Sequence, residues 1–180
     1  MAYAVIELNQ VAATDVAIYN RTATSGSNLE QGSLFRLDSL SSGSGQGEVF
    51  TATQIATGSL VDVWMANGQV IPFLTSADGE IFNQGSEDPR NFYNPANRVF
   101  DAFKPQPGDI VTLSEDCFTG AKSTNSYANA TTGQWQLVWG SSHAPSALSF
   151  KYLATKWISI GNPAVASGRV TAYRMQCLAN

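Results

Sequence analysis

A two-residue rhythm of apolar side chains constrains this chain more than any other feature of its sequence. Across residues 134–139, Trp135, Leu137 and Trp139 alternate with other neighbours, and across 148–153 Leu148, Phe150 and Tyr152 do the same. Successive side chains of a strand point to opposite faces, so this alternation marks strands with one buried face. Long stretches of helical period are missing, and Gly, Pro, Ser and Asn punctuate the chain at short intervals. The expected fold is all-β: a small antiparallel β-barrel or β-sandwich with an extended N-terminal segment and long loops.

The 180 residues suit one domain plus an extended arm. Residues 1–24 read as an extended or edge-docked N-terminal segment, and 25–180 as a single all-β domain, most regular over 100–180. The barrel or sandwich is expected mainly from residues 100–180, joined by hairpins around 48–74. The clearest hairpin runs from Leu60-Val61-Asp62-Val63-Trp64-Met65-Ala66 through Asn67-Gly68 to Val70-Ile71-Pro72-Phe73-Leu74, because Asn-Gly accepts the positive φ of a tight turn. Asp78-Gly79 offers a second such turn before Ile81-Phe82. The run Ser41-Ser42-Gly43-Ser44-Gly45-Gln46-Gly47 is too poor in side chains for a core and reads as a hairpin tip or partner-ordered loop. Residues 83–104, with two prolines among polar and aromatic residues, read as a long structured loop anchored by Phe92, Tyr93, Phe100 and Phe103.

Charge narrows the functional classes. Asp, Glu, Lys and Arg make up 13% of the chain, about half the ~25% usual for soluble proteins. Hydroxyl and amide side chains fill the gap, and these can be buried against a partner without the desolvation cost of ions. The net charge is −4 and the ten basic residues are spread from Arg21 to Arg174, so no cationic track for nucleic acid is expected. No apolar run approaches the ~20 residues of a membrane-spanning helix. The opening Met1-Ala2-Tyr3-Ala4-Val5-Ile6-Glu7 lacks a basic region and meets a carboxylate early, so it is not read as a signal peptide, and synthesis in the cytoplasm is expected.

Candidates for chemistry are few. His143 is the single histidine and has no Gly-x-Ser-x-Gly elbow to accompany it. Ser42-Gly43-Ser44-Gly45 imitates part of one inside a low-complexity run. Glu87-Asp88 and Glu115-Asp116 are sequence neighbours, a spacing unlike the facing carboxyls of a glycosidase. Asp78, Glu80 and the Glu87-Asp88 loop carry oxygens that calcium would accept, but not in the spacing of a dedicated calcium loop. Cys117 and Cys177 form no CxxC pair; buried thiols are expected, a disulfide being the other arrangement. The chain is read as a non-enzyme with no cofactor and no metal. Trp64, Trp135, Trp139 and Trp157 all sit in strand-like patterns and are expected in the core. Only the loop with Phe92 and Tyr93 offers exposed rings beside Asn, as a glycan platform would require.

Several segments resemble small structural proteins from the head modules of tailed bacteriophages. They are Val5-Ile6-Glu7-Leu8-Asn9, Ala12-Ala13-Thr14-Asp15-Val16 and Tyr19-Asn20-Arg21-Thr22-Ala23. Asp88-Pro89-Arg90-Asn91-Phe92, Gly108-Asp109-Ile110-Val111-Thr112-Leu113 and the ending Arg169-Val170-Thr171-Ala172-Tyr173 belong to the same set. The resemblance implies a capsid decoration (cement) or auxiliary head protein, located on the virion surface, without enzymatic activity. Its partners would be the major capsid protein and sister subunits in a homo-oligomer, with no nucleic acid and no membrane. Contacts are expected from residues 1–24, 41–47 and 83–104, with Tyr3, Val5, Tyr19, Phe92, Tyr93, Phe100 and Phe103 as the contact side chains. A head-fibre or tail component that binds host glycans is the alternative.

Overall fold

The computed structural model describes residues 3–41, 48–56, 60–67, 73–75, 81–83, 90, 92–160 and 168–180. Its strands fall into two principal sheets. The first contains β2 (Asn20–Thr24), β3 (Leu34–Leu40), β4 (Val49–Thr53), β5 (Trp64–Asn67) and β8 (Val99–Phe103), closed into a barrel in the order β2-β4-β3-β5-β8. Its pairings are antiparallel except β2 with β4, which run parallel with Ala23 opposite Phe50. Closure gives every barrel strand a partner on each side, although β3 meets β5 only at Leu34 and Phe35. The interior holds Phe35, Trp64 and Phe100 beside Ala23, Ala52, Ala66 and Ala102. Small residues leave room for the large ones inside so narrow a barrel, and Phe35 meets Phe100 edge to face, with centroids 5.6 Å apart.

The second sheet has seven strands. They are β1 (Ile6–Gln10), β9 (Ile110–Ser114), β10 (Phe118–Thr119), β11 (Tyr127–Asn129), β12 (Leu137–Gly140), β13 (Ser149–Ile160) and β14 (Gly168–Ala179). Their order is β1-β9-β14-β13-β11-β12-β10. Val111, Leu113, Leu137, Trp139, Phe150, Tyr173, Met175 and Cys177 from this sheet join Leu34, Met65 and Phe103 from the barrel in one core. Phe118 stacks on Trp139 at 4.6 Å, and Tyr173 meets both rings edge-on. A short ribbon pairs β6 (Phe73–Thr75) with β7 (Ile81–Asn83).

The two cores share a wall. In β3, Leu34 enters the sheet core and Phe35 the barrel core; in β5, Met65 faces one way and Trp64 and Ala66 the other; in β8, Phe103 opposes Phe100 and Ala102. A strand covered on both faces reads as a continuous apolar run rather than an alternation, which is the pattern of Trp64-Met65-Ala66.

The all-β expectation holds: one principal sheet closes into a barrel, and the other stays open and shares a core with it. Their placement differs. The closed barrel comes from residues 20–103, while 110–180 supply most of the open sheet. Of the hairpin expected about Asn67-Gly68, the described residues show β5 paired with β3 and β8, and Phe73-Leu74 paired with β7. Gly68 to Pro72 lie outside the described residues, as do Asp78-Gly79 and residues 42–47. The N-terminal segment divides: Ile6–Gln10 docks on β9 at the sheet edge, whereas Asn20–Thr24 is an internal barrel strand. Within the expected 83–104 loop, residues 84–89 and 91 lie outside the described residues, and Val99–Phe103 form a strand.

Candidate interaction surface

The expected contact side chains go to different places. Val5, Phe100 and Phe103 are buried in the chain's own cores, and Tyr19 packs half-buried against the sheet core. Phe100 and Phe103 are strand residues on the wall, so they are not loop anchors facing outward. Tyr3, Phe92 and Tyr93 stay partly exposed. Tyr3 and Tyr93 lie with ring centroids 4.9 Å apart, tilted by 49°. The Tyr3 amide donates to the Arg90 carbonyl at 2.7 Å, and Leu29 and Asn94 exchange backbone bonds nearby in the chain.

The cysteines are separate buried thiols. Burial pushes the Cys117 thiol up to about 12, with the Asp116 and Glu30 carboxylates adding to the rise and the Ser114 hydroxyl opposing it. Burial and the Asp109 carboxylate push Cys177 up to about 12 as well. A thiol so placed is neutral at physiological pH and a poor nucleophile. His143 is half-buried, its ring 6.4 Å from that of Tyr127. Among the described residues no three His, Cys, Asp or Glu side chains gather as metal ligands.

A cavity of ~240 Å³ lies where barrel and sheet meet, bordered by Glu30, Gln31, Asp116, Cys117, Trp135 and Gln136. Its walls tie the two sheets together. Leu34 donates to the Trp135 carbonyl at 2.7 Å and the Ala4 amide donates to Glu30 Oε2 at 2.9 Å, while Gln136 Nε2 donates to the Asp116 carbonyl at 2.8 Å within the sheet side of the cavity. Gln31 is buried and its Nε2 has no hydrogen-bond partner. Gly32 adopts φ +75°, and a Cβ there would stand 3.0 Å from Cys117 Sγ. The joint needs glycine both for its backbone angle and for the thiol beside it.

The longest strand pair among the described residues is β13–β14. Each strand has 12 residues, yet β11 pairs only with Ser149 to Lys151 and β9 only with Ala172 to Gln176. Tyr152 adds one bond, donating its amide to the Ser126 carbonyl at 2.9 Å, and Cys177 exchanges bonds with Gly108 and Asp109 at the base. Among the described residues no strand pairs with the outer edges from Leu153 to Ile160 and from Gly168 to Thr171. A bulge between Tyr152 and Ala154 resets the strand. Past it, Ile158 turns inward with Val5 and Ala172. Trp157 points the other way and is 60% exposed. Arg169 opposes Ser159, one step diagonally from Trp157 on the same face, and both Arg169 and Lys156 are exposed. Nearer the base of the arm, Lys122 Nζ lies over the Tyr152 ring, 3.8 Å from its centroid.

Of the four tryptophans, Trp64 and Trp139 are buried as expected and Trp135 is half-buried, but Trp157 is not a core residue. Its face-mates Thr155 and Ser159 are polar, a local sign of an outward face that its neighbour Ile158 obscures. A second signal lies in the carboxylates. All 14 Asp and Glu lie at or before Asp116, together with five of the ten Lys and Arg, a balance of −9. The remaining five cations lie beyond it with no carboxylate at all, a balance of +5. The cations are evenly spread; the anions are not. On the barrel, the far end of β3 exposes Asp38 and Leu40, the latter 51% accessible, and Glu48 is exposed just ahead of β4.

No family model, curated protein or solved structure matches this chain.

Proposed function

We propose that this chain is a virion structural protein that decorates and stabilises the capsid of a tailed bacteriophage through protein–protein contacts. Its partners in this reading are the major capsid protein and sister subunits, and its place is the outer surface of the head after synthesis in the host cytoplasm. The observation that carries the reading is the exposed β13–β14 arm. It combines an unpaired strand edge, able to accept a further strand, with a tryptophan of the kind that anchors interfaces. The low charge of the chain and the resemblance of its segments to phage head proteins point the same way. Modest affinity per subunit suffices on a shell that repeats its sites, because several subunits engage together.

The test is to mix the purified chain with capsids that lack it and to image the particles. Ordered extra density on the outer face is the expected result; capsids that sediment without the chain overturn the reading. A head-fibre or tail component contacting host glycans is the second reading, favoured by the partly exposed Tyr3, Phe92 and Tyr93 rings. Glycan-array binding that disappears in Phe92→Ala or Tyr93→Ala would support it.

A further inference from the structure

We propose that the β13–β14 arm docks on the outer end of the β3–β4 hairpin of a second copy of this chain, joining subunits head to tail. The argument is complementarity between two projections of the same molecule. The arm presents Trp157 with Arg169 on the same face, while Lys156, the neighbour of Trp157 in sequence, projects from the opposite face of the same strand. It lies in the 64-residue stretch that contains no carboxylate. The β3–β4 end presents the opposite set: Asp38 and Glu48 as anions and Leu40 as an exposed apolar residue.

Neither projection satisfies itself. Among the described residues no carboxylate pairs with Lys156 or Arg169. A buried ring at the centre with opposite charges around it is the usual energetic layout of a specific contact. Two different surfaces meeting repeat from subunit to subunit, and where the rotation closes they give a ring. The charges would speed encounter and fix the pairing, while Trp157 against Leu40 supplies the apolar area. This association assigns the arm to the sister-subunit contact of the proposed function, and because it is measured without capsids its failure is distinguishable from a failure of decoration.

Sedimentation velocity on the full chain at low and high ionic strength tests it. The wild-type chain is expected to self-associate, more weakly at high salt. Trp157→Ala and the pair Lys156→Glu with Arg169→Glu should each weaken association by about tenfold or more, with unchanged circular dichroism. Asp38→Lys with Glu48→Lys should do the same from the other side. Mixing the two charge-reversed chains restores association, because each reversed arm then meets a reversed hairpin. A general loss of folding would not produce that recovery. A wild-type chain that stays monomeric at low salt overturns the proposal, as does association unchanged in the reversed variants. If the arm variants lose capsid binding while the free chain is monomeric, the arm's partner is an acidic shell surface and the second-copy assignment is wrong. Capsid imaging without self-association leaves the decoration reading standing alone.

Discussion

The wall between barrel and sheet and the β13–β14 arm are made of similar material, strands rich in aromatic and aliphatic side chains, and are used in opposite ways. On the wall, Leu34, Phe35, Met65 and Phe103 are lost to solvent on both faces. On the arm, one face is partly covered through Ile158 and Ala172, and the other leaves Trp157 60% exposed. What covers a strand, more than what composes it, decides whether its apolar residues hold the fold or face a partner. Substitutions should therefore separate the two regions.

The largest effect belongs to the wall. Phe103 is fully buried between Met65 and the sheet core, and Phe103→Ala should cost ~3–5 kcal/mol through lost burial and the cavity left behind. Urea unfolding followed by tryptophan fluorescence measures it. A cost below about 1 kcal/mol would mean that the wall is not the common core of both sheets.

The thiols give the next effect, and it has a pH signature. Cys117 and Cys177 stay protonated in the folded chain up to about 12, whereas the ordinary value is 9.0. Between those values the unfolded chain has released protons that the folded chain retains. Stability is therefore unaffected by these groups below pH 9 and falls as pH rises from 9 toward 12, by up to ~1.4 kcal/mol per pH unit for each thiol. Urea midpoints measured across that window should drop, and replacing both cysteines by alanine should flatten the drop. Thiol reagents at neutral pH should label neither until the chain is unfolded.

Much of this architecture is legible locally and some of it is not. Alternation across 148–153 marks β13 because its one covered face imposes period two. Across 134–139 only Leu137–Gly140 is a strand, and Trp135 lies ahead of it, packed against the barrel core instead of the core that holds Leu137 and Trp139. The partners of β5 are invisible in its own neighbourhood. Asn67-Gly68 favours a local return, but β3 and β8, far away in sequence, supply both flanks. The parallel β2–β4 pair is likewise a product of closure, since no local turn can make it. Phe100 and Phe103 lie beside a proline-rich polar stretch and take their strand character from pairing with β2 and β5. For the candidate surface, composition indicates scarcity of charge, but the useful asymmetry is in where the carboxylates stop, at Asp116.

The joint between the sheets ranks third. Gly32→Ala places a methyl 3.0 Å from Cys117 Sγ at a backbone angle of φ +75°, and should cost ~1–3 kcal/mol. Combining it with Cys117→Ala tests the cause. If the thiol contact contributes, the double variant loses less than the two single costs together, as residues in contact do. Strict additivity would assign the whole penalty to the backbone.

The smallest effect on folding, and the sharpest form of the comparison, falls on two neighbours of one strand. Trp157→Ala removes a larger side chain than Ile158→Ala, so composition alone ranks it as the more damaging. The structure reverses that order. Ile158 is 3% exposed and packs with Val5 and Ala172, so its truncation should cost ~2 kcal/mol or more. Trp157 is mostly in solvent, and its truncation should shift the unfolding midpoint by no more than ~0.5 kcal/mol. Thermal melts of the two variants at one concentration, below the range of self-association, separate these outcomes. A large loss at Trp157 under those conditions would mean that the ring supports its own fold, and the arm would then belong with the wall.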